Sequence, residues 1–354
     1  MLRRSFSQMM TSVAVAAPAE VEVALLTHAE GPHLSAYIEG LAKTPEAVRV
    51  YLANPATEAQ VRKGLGAKLA GVYQSPKELL AARRPNLAIV TMEGAVAPPV
   101  IAAALEAGCH VMAEKPACVR AEDFAPLVIK AKAGKRQLML ALCNRIDPVM
   151  VRARRLVQEG TIGKVYGMEM HTIADQTRLT KPAYHQSWTA QKRRAGGGHL
   201  IWLGIHWLDL AVFITGSKIR QVAGFTGNVG GQPIDTEDSA AVALQFENGT
   251  LGTLTSGYYT DRAKQLFIKV WGSNGWLEIH HDRPDEPLIW QENGQAVQRM
   301  GPMAQAGYTP WVQHVVRAAA GLETPVLTAE GSLHALEVVF AGYRAAATGR
   351  TQRV

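Results

Sequence analysis

The chain has 354 residues, of which 47% are hydrophobic and 19% are charged. This composition excludes a disordered or low-complexity protein, and the length suits two globular domains. The formal net charge of +7 is not concentrated in a dense basic block, so we expect no nucleic-acid partner and attribute the surplus to solubility or to steering of an anionic ligand. No apolar run is long enough to predict a membrane span.

Residues 1–20 are typical of a targeting segment. Arg3-Arg4-Ser5-Phe6 matches the twin-arginine pattern, a weakly apolar stretch follows, and small residues occupy positions 17 and 19. We therefore expect an exported, periplasmic protein with a possible signal over residues 1–20. A transit peptide, or a frayed tail on a cytoplasmic protein, is the alternative.

From Val21 onward, short apolar runs alternate with helical stretches. The predicted buried strands are VEVALL, VRVYLA, AGVY, NLAIVTM, CHVMA and QLMLALCN. Such alternation predicts a parallel sheet with helices on both faces, and ligands bind such sheets at the carboxyl ends of the strands. We assign residues 21–145 to this α/β domain.

Beyond Asn144 the pattern changes to long strands and hairpins. VYGMEMHTIAD alternates as a strand, and three later pairs of apolar runs are joined by Asn-Gly, the strongest short hairpin signal. Helices close the chain. We therefore predict a second α/β domain over residues 146–354 with a large, open and mostly antiparallel sheet.

No metal site is expected. The three cysteines lack metal-ligand spacing and are predicted to be buried reduced thiols; they are Cys109, Cys118 and Cys143. His199 and His206 lie seven residues apart, which is two helical turns and too far for one ion. We interpret residues 280–282, His-His-Asp, as a solvated strand end.

Two motifs point to chemistry. Glu114-Lys115-Pro116 follows the strand CHVMA, which places a lysine at the ligand edge of the sheet, where it can act on a substrate hydroxyl or carbonyl. Pro116 fixes the turn. In GGGHLIWLGIHWLD, residues 196–209, four side chains are spaced three and four apart and are predicted to share one helix face; these are His199, Trp202, His206 and Asp209. Alone, either motif fits an ordinary turn or a packed helix.

Several segments occur together in a fixed order. They are ALEAGCHVMAEKP, NRIDP, GGG followed by GIHWLD, EDSAAVALQFENGTLGTL, VWGSNGWLEI and TPVLTAEGSLHALEVVFAGYRAA. Taken together they resemble the glucose-fructose oxidoreductase/inositol dehydrogenase/rhizopine-catabolism (Gfo/Idh/MocA) family. The resemblance covers the chain from about residue 21 to the end.

The resemblance implies an N-terminal Rossmann domain that binds NAD or NADP, and hydride transfer to or from a sugar, inositol or related polyol. Lys115 and His206 match the catalytic lysine and histidine of the family. The residues that match the nicotinamide side are Glu114, Pro116, Asn144 and Arg145, and Arg145 is also assigned to substrate binding. Asp209 is expected to be structural. The open sheet implies a homodimer or homotetramer.

The phosphate loop departs from the family pattern G-x-G-x-x-G. Thr27, Ala29 and Pro32 stand at the glycine positions, although Gly31 can supply the turn. Asn54 stands where a ribose-binding acid is usual, which leaves NAD and NADP both open. The predicted cofactor contacts in this region are Thr27, Ala29, Gly31, Asn54 and Thr91. Ala97 stands where the family has a histidine.

Trp202 replaces the first aspartate of the family's site helix. An indole donates one hydrogen bond but cannot accept a proton, so His206 loses a charge that would raise its pKa and fix its tautomer. Lys115 alone can carry the acid–base role, and His199 is a second candidate. A polar-aromatic loop leads into the site and is a candidate for sugar recognition, with an oligomer contact as the alternative; its residues are Tyr184, His185, Trp188 and Arg193. Trp202 is a further candidate for substrate binding, by stacking on a sugar face.

The leading functional hypothesis is an NAD(P)-dependent oxidoreductase acting on a carbohydrate-like small molecule. Two alternatives stay open. One is a lyase or glycoside-cleaving enzyme that uses bound nicotinamide without net redox. The other is a family member that has lost hydride chemistry and serves as a binding or assembly protein.

Overall fold

The computed structural model of the chain describes residues 20–303 and 306–354. The twin-arginine-like segment lies outside the described residues. Six parallel strands form the first sheet, in the order β3-β2-β1-β4-β5-β6. The strands are β1 (Val21–Thr27), β2 (Ala47–Ala53), β3 (Leu69–Tyr73), β4 (Leu87–Thr91), β5 (His110–Ala113) and β6 (Leu138–Leu140). Strand order reverses between β1 and β4, so their carboxyl ends border a switch-point crevice, the usual ligand position.

Helices cover both faces of this sheet. They are α1 (Leu34–Lys43), α2 (Glu58–Leu65), α3 (Pro76–Ala82), α4 (Ala97–Glu106) and α5 (Ala121–Ala133), and α6 (Pro148–Gln158) follows. Local chemistry sets two of the starts: Ser75 and Asp147 accept hydrogen bonds from the first-turn amides of α3 and α6, each just before a proline. Every residue of β4 is buried, as expected of a strand covered on both sides.

Nine strands form the second sheet, in the order β14-β13-β12-β11-β7-β10-β9-β8-β15. They are β7 (Val165–Asp175), β8 (Ile219–Gly227), β9 (Ser239–Phe246), β10 (Leu251–Thr260), β11 (Gln265–Gly272), β12 (Gly275–His280), β13 (Leu288–Glu292), β14 (Gln298–Met300) and β15 (Gln352–Arg353). The three Asn-Gly sites join β9 to β10, β11 to β12 and β13 to β14 as antiparallel pairs. Only β7 and β10 pair in parallel. The predicted fold class is confirmed.

The remaining helices connect the two sheets. They are α7 (Pro182–Gln186), α8 (Lys192–Ala195), α9 (Ile205–Thr215), α10 (Tyr308–Ala319) and α11 (Ala329–Thr348). Helix α11 packs on β8 and on α5, and α10 packs on α1. At the second contact Gly40 is required, because a Cβ there would lie 2.6 Å from Cβ of Val312. The end of the chain therefore returns to the first sheet.

One helical stretch of the described chain, Lys192–Thr215, is long and apolar enough to cross a membrane by length and composition. Most of it is buried inside the protein. A core helix of a folded domain has the same properties, and this stretch carries the site helix described next.

Candidate active site

A buried carboxylate fixes the glycine-rich start of the site helix. Glu237 accepts hydrogen bonds from the amides of Gly198 (2.6 Å) and Leu200 (2.9 Å) and from the hydroxyl of Tyr343 (2.7 Å). Gly196 has a φ of +84°, and a Cβ on Gly198 would lie 1.9 Å from the carbonyl oxygen of Glu237. Burial raises the pKa of Glu237, and its hydrogen bonds oppose that shift. The sequence interpretation missed Glu237; its position in the acidic pair Glu237-Asp238 before strand β9 was the available signal.

The helix opens with a π-helical turn, Leu200–Gly204, and continues as α9. This turn changes the phase of the helix, so the predicted single face does not include His199. His199 Nδ1 lies 2.6 Å from Oγ of Ser256, and its ring packs edge-on against Tyr258. Burial lowers the pKa of His199 to about 3. His199 is therefore a neutral core residue that contacts the second sheet.

A cavity of about 420 Å³ lies between the carboxyl end of the first sheet and the second sheet. Lys115, Asn144 and His206 line it, so three predicted site residues from separate segments meet there. Its other lining residues include His33, Tyr308 and Arg178, which the sequence interpretation did not identify. Such a volume suits a small molecule.

Lys115 is 2% exposed and is held by Trp202. Its Nζ donates to the carbonyl oxygen of Trp202 (2.7 Å) and lies 4.1 Å from the centre of the indole ring. Burial lowers the pKa of Lys115 to about 8, and the carboxylate of Glu114 opposes this shift. A lysine with a pKa near neutral can both accept and return a proton.

His206 is buried at the cavity wall, and its Nδ1 has no hydrogen-bond partner among the described residues. Burial, assisted by the charge of Lys115, lowers its pKa well below the ordinary value. The imidazole is therefore neutral and offers one donor and one acceptor. Trp202 stands where the resemblance leads one to expect an aspartate, and the charged neighbours of the ring among the described residues are Lys115, His33 and His281.

Glu114 lies behind Lys115, where its side chain is fully buried. Oε2 accepts from the hydroxyl of Tyr37 and lies 3.1 Å from Nδ1 of His33, and Oε1 lies 4.0 Å from Nζ of Lys115. Pro116 follows Lys115 through a cis peptide bond. Glu114 thus supplies a fixed negative charge beside the lysine.

Arg145 pairs with Asp209 and does not line the cavity. Its Nε and Nη2 donate to the two carboxylate oxygens at 2.8 and 2.7 Å, and Nη1 donates to the carbonyl oxygen of Val326 (3.0 Å). Burial raises the pKa of Asp209 and Arg145 opposes the shift. This ion pair attaches α9 to the segment after β6, which is the structural role expected of Asp209.

The polar-aromatic loop lies beside the cavity. The ring of Tyr184 stacks under the guanidinium of Arg178 (4.7 Å), and His185 Nε2 lies 2.5 Å from the carbonyl oxygen of Leu179. Neither Tyr184 nor His185 lines the cavity, and Trp188 lies over the switch-point crevice. Arg178 is the residue of this region that reaches the cavity wall.

The predicted phosphate loop is tightly packed. A Cβ on Gly31 would lie 2.1 Å from Oγ1 of Thr27, and the hydroxyl of Thr91 donates to the carbonyl oxygen of Pro32 (2.5 Å). The side chain of Asn54 accepts from the amide of Ala56 (3.2 Å) and caps the short turn after β2. The side chains of Thr27, Thr91 and Asn54 therefore already hold hydrogen bonds to nearby main-chain groups, of His28, Pro32 and Ala56. Ala29 lies in the same loop as Thr27 and Gly31.

Side chains of the chain itself fill the crevice. His28 bridges the loops after β1 and β4, because its two ring nitrogens each lie 3.0 Å from a main-chain nitrogen, of Glu30 and of Glu93. Trp188 packs edge-on against His28. A dinucleotide fits the reactive end, where Lys115 and Asn144 face a cavity, but its phosphates do not fit the crevice in this arrangement.

No group of three or more histidine, cysteine, aspartate or glutamate side chains is placed to hold a metal ion in the described part of the chain. All three cysteines are buried and unpaired. Burial raises the pKa of each thiol, most moderately for Cys109, where it reaches about 11. These thiols are unreactive at neutral pH.

Similar sequences match part of this chain. Levoglucosan dehydrogenase of Pseudarthrobacter phenanthrenivorans is 26% identical over 219 residues, which cover 56% of this chain and 56% of that enzyme. Myo-inositol 2-dehydrogenase of Thermotoga maritima is 24% identical over 242 residues, 66% of this chain and 68% of that enzyme. The match thus spans only about half the length of the first relative.

Solved structures share the fold over nearly the whole chain. An oxidoreductase domain protein from Kribbella flavida superposes with a TM-score of 0.83 at 23% identity, covering 95% of this chain and 99% of that one. Levoglucosan dehydrogenase in complex with NADH and L-sorbose superposes with a TM-score of 0.83 at 19% identity, again over 95% and 99%.

Family models match both domains in the expected order. The model of an oxidoreductase family with an NAD-binding Rossmann fold matches residues 27–142, and that of the Gfo/Idh/MocA C-terminal domain matches residues 150–278. Together they span more than half of the described chain and leave only a short connection between them. The chain therefore belongs to the Gfo/Idh/MocA family of oxidoreductases.

Proposed function

We propose that the protein is an NAD(P)-dependent oxidoreductase that acts on a hydroxyl or carbonyl carbon of a sugar, polyol or related molecule. The observation that carries this proposal is the cavity in which the buried Lys115, with a pKa lowered to about 8, faces the neutral His206. Family membership and the printed activities of the relatives support the same class. When bound, the nicotinamide would accept or supply the hydride.

Lys115 takes the proton of the reacting hydroxyl in oxidation and returns it in reduction. The carbonyl oxygen and ring of Trp202 fix its Nζ at the cavity wall, which limits the loss of orientation that a flexible lysine would otherwise suffer. His206, which is neutral, donates or accepts one hydrogen bond to the substrate and positions it. Trp202 therefore supports the lysine, where the family has an aspartate beside the histidine.

The rate of oxidation is expected to depend on a single group with a pKa of about 8. Because Lys115 accepts the proton as the free amine, kcat/KM for oxidation should rise about tenfold per pH unit below that pKa and level off above it. Reduction, which needs the ammonium form, should fall above the same pKa. The profiles are measured between about pH 6 and 10 with saturating cofactor.

Glu114→Gln provides the matched test of this assignment. The carboxylate of Glu114 raises the pKa of Lys115, so its removal should move the inflection to lower pH. A profile that is flat, or that moves to higher pH in the variant, contradicts the assignment to Lys115.

The two alternative functions make different use of the nicotinamide. A lyase or glycoside-cleaving enzyme without net redox would retain its cofactor through turnover, and a binding or assembly protein would need none. Both alternatives stay open because His28 and Trp188 fill the crevice, which opposes free exchange of a soluble dinucleotide. The cavity lysine favours the enzymes over the binding protein.

A cofactor assay distinguishes these functions. The protein is denatured and the supernatant is assayed for NAD(H) and NADP(H), and turnover is followed with each added cofactor and a panel of sugars and polyols. Exchange with added cofactor supports the dehydrogenase. Retained cofactor without turnover of external cofactor supports the enzyme without net redox. If the protein neither retains nor binds a cofactor, both enzymatic functions are contradicted.

The outer face of the second sheet supports a homodimer or homotetramer. Leu251 and Trp271 both pair with Gly167 in the sheet register, which places them on one face, and Phe225 follows on the same face. These side chains are 59%, 38% and 78% exposed. The same face also carries Glu169, Lys269 and Glu278, and exposed apolar side chains interspersed with charged ones are compatible with a subunit interface. We also propose that the twin-arginine-like segment, residues 1–20, directs export of the protein.

Phe225→Lys is expected to convert the oligomer to a monomer, because it replaces the most exposed of these apolar side chains by a charge that the interface would have to bury. Light scattering of the full chain measures the mass. Ile129→Lys on α5, which is 71% exposed and distant from this sheet, is the control and should leave the mass unchanged. A wild-type protein that is already monomeric would refute the interface.

A further inference from the structure

Two main-chain N–H groups in the switch-point crevice compete for one acceptor. The amide of Glu30 points at Nδ1 of His28 and the amide of Glu93 at Nε2, each at 3.0 Å. Burial lowers the pKa of His28, so its ring is neutral, and a neutral imidazole has one acceptor nitrogen and one N–H. One of the two amides therefore faces a donor and not an acceptor, which is unfavourable, and more so for the partly buried amide of Glu93 than for the exposed amide of Glu30.

A phosphate group would resolve this conflict. It carries several acceptor oxygens, so the two amides, which approach His28 from opposite sides of its ring, can each donate to a different oxygen of the same group. Neighbouring acids do not prevent this: the carboxylate of Glu93 is paired with Nε of Arg194 at 2.6 Å, and Glu30 is exposed, where solvent screens its charge. The amide pair thus suits an anion better than it suits His28.

Residues 188–194, here called the cover segment, close this site from the second domain. Trp188 is buried, packs edge-on against His28 and donates from Nε1 to the carbonyl oxygen of Glu30 (3.4 Å). At the other end, Arg194 pairs with Glu93, and its carbonyl oxygen accepts from the amide of Ala95 (3.1 Å). Gly196, in the left-handed region, follows the cover segment and permits a change of direction.

We infer that the amides of Glu30 and Glu93 form the phosphate site of this chain, that His28 occupies it in competition with ligand, and that the cover segment must leave before a dinucleotide binds. The inference rests on the proposed function, because that function requires a ligand with a pyrophosphate. It accounts for the missing glycines: the crevice is built to be closed by side chains, and a ligand must displace them.

Calorimetric titration of the full chain with NAD⁺, NADP⁺ and inorganic pyrophosphate tests the site. His28→Ala removes the internal competitor and is expected to bind pyrophosphate and one dinucleotide at least about tenfold more tightly than the wild type. His110→Ala is the matched control, because His110 also accepts a main-chain N–H, from Gln137 at 3.1 Å, but lies away from the crevice. It should bind as the wild type does.

Trp188→Ala tests the cover segment by a second route, should His28→Ala fold poorly, and should also bind the dinucleotide more tightly. In the wild type, added dinucleotide should speed hydrogen exchange over residues 188–194 and slow it at the amides of Glu30 and Glu93. Unchanged affinity in both variants, with dinucleotide still bound by the wild type, overturns the inference and leaves the proposed function intact. Pyrophosphate binding to His28→Ala without binding of either dinucleotide supports the site and overturns the proposed function. No binding of any of the three ligands by any of these proteins overturns both.

Discussion

Lys115→Met is expected to lower kcat/KM about 10²–10⁴-fold, the usual contribution of a positioned acid–base group. Methionine matches the lysine side chain as far as Cε and can keep its contact with the Trp202 ring, but it lacks the amine and so has no proton to exchange. Of the two groups assigned to act on the substrate, Lys115 is the one that can exchange a proton near neutral pH, because burial lowers its pKa to about 8, whereas burial lowers the pKa of His206 well below its ordinary value. Steady-state rates with saturating cofactor measure the loss.

The variant should remain folded, which separates a chemical effect from a structural one. Two effects oppose each other here: burial of the ammonium group is unfavourable, but Glu114 loses the cation that lies 4.0 Å from its Oε1. Because Tyr37 and His33 still contact Oε2 of Glu114, we expect only a small change in the midpoint of thermal unfolding, which is measured beside the rates. Lys130→Met, on an exposed lysine paired with Glu106, is the control and should keep the wild-type rate. Near-normal turnover by Lys115→Met would refute the role assigned to the lysine, and unchanged substrate affinity without turnover would support it.

Local patterns were sufficient to predict much of the fold. The apolar runs of the first half and the Asn-Gly turns of the second are determined by residues adjacent in sequence, and the structure places strands and hairpins where those patterns occur. Lys115 was located because a residue that follows a buried parallel strand must lie at the ligand edge of the sheet. That prediction needed no long-range contact.

The rest of the site depends on residues that are distant in sequence. Glu237 holds Gly198 from 39 positions away, and Trp188 donates to Glu30 across 158 positions. The spacing of apolar residues along the sequence does not indicate which loops converge. It also gives no sign of the π-helical turn that separates His199 from the cavity. Arg145 was assigned to substrate from the resemblance, but the structure places its guanidinium on Asp209.

Asp209→Asn is expected to lower the free energy of unfolding by about 3–5 kcal/mol, because it leaves the guanidinium of Arg145 buried without a counter-charge. The two side chains are 11% and 3% exposed, so water cannot replace the lost partner. Urea unfolding with an unchanged m-value measures the effect. Glu58→Gln breaks the Arg62–Glu58 pair, which has the same N–O distance of 2.7 Å but is exposed, and should leave stability almost unchanged.

The double variant Arg145→Met/Asp209→Leu distinguishes the cost of an unpaired charge from the intrinsic strength of the ion pair. Burial raises the pKa of Asp209 despite the neighbouring guanidinium, which indicates that desolvation outweighs the attraction within the pair. Removal of both charges should therefore recover most of the stability lost in Asp209→Asn. A double variant as unstable as the single one would mean instead that the hydrogen bonds of Arg145 to Asp209 and to Val326 are themselves stabilising, beyond the balance of charge.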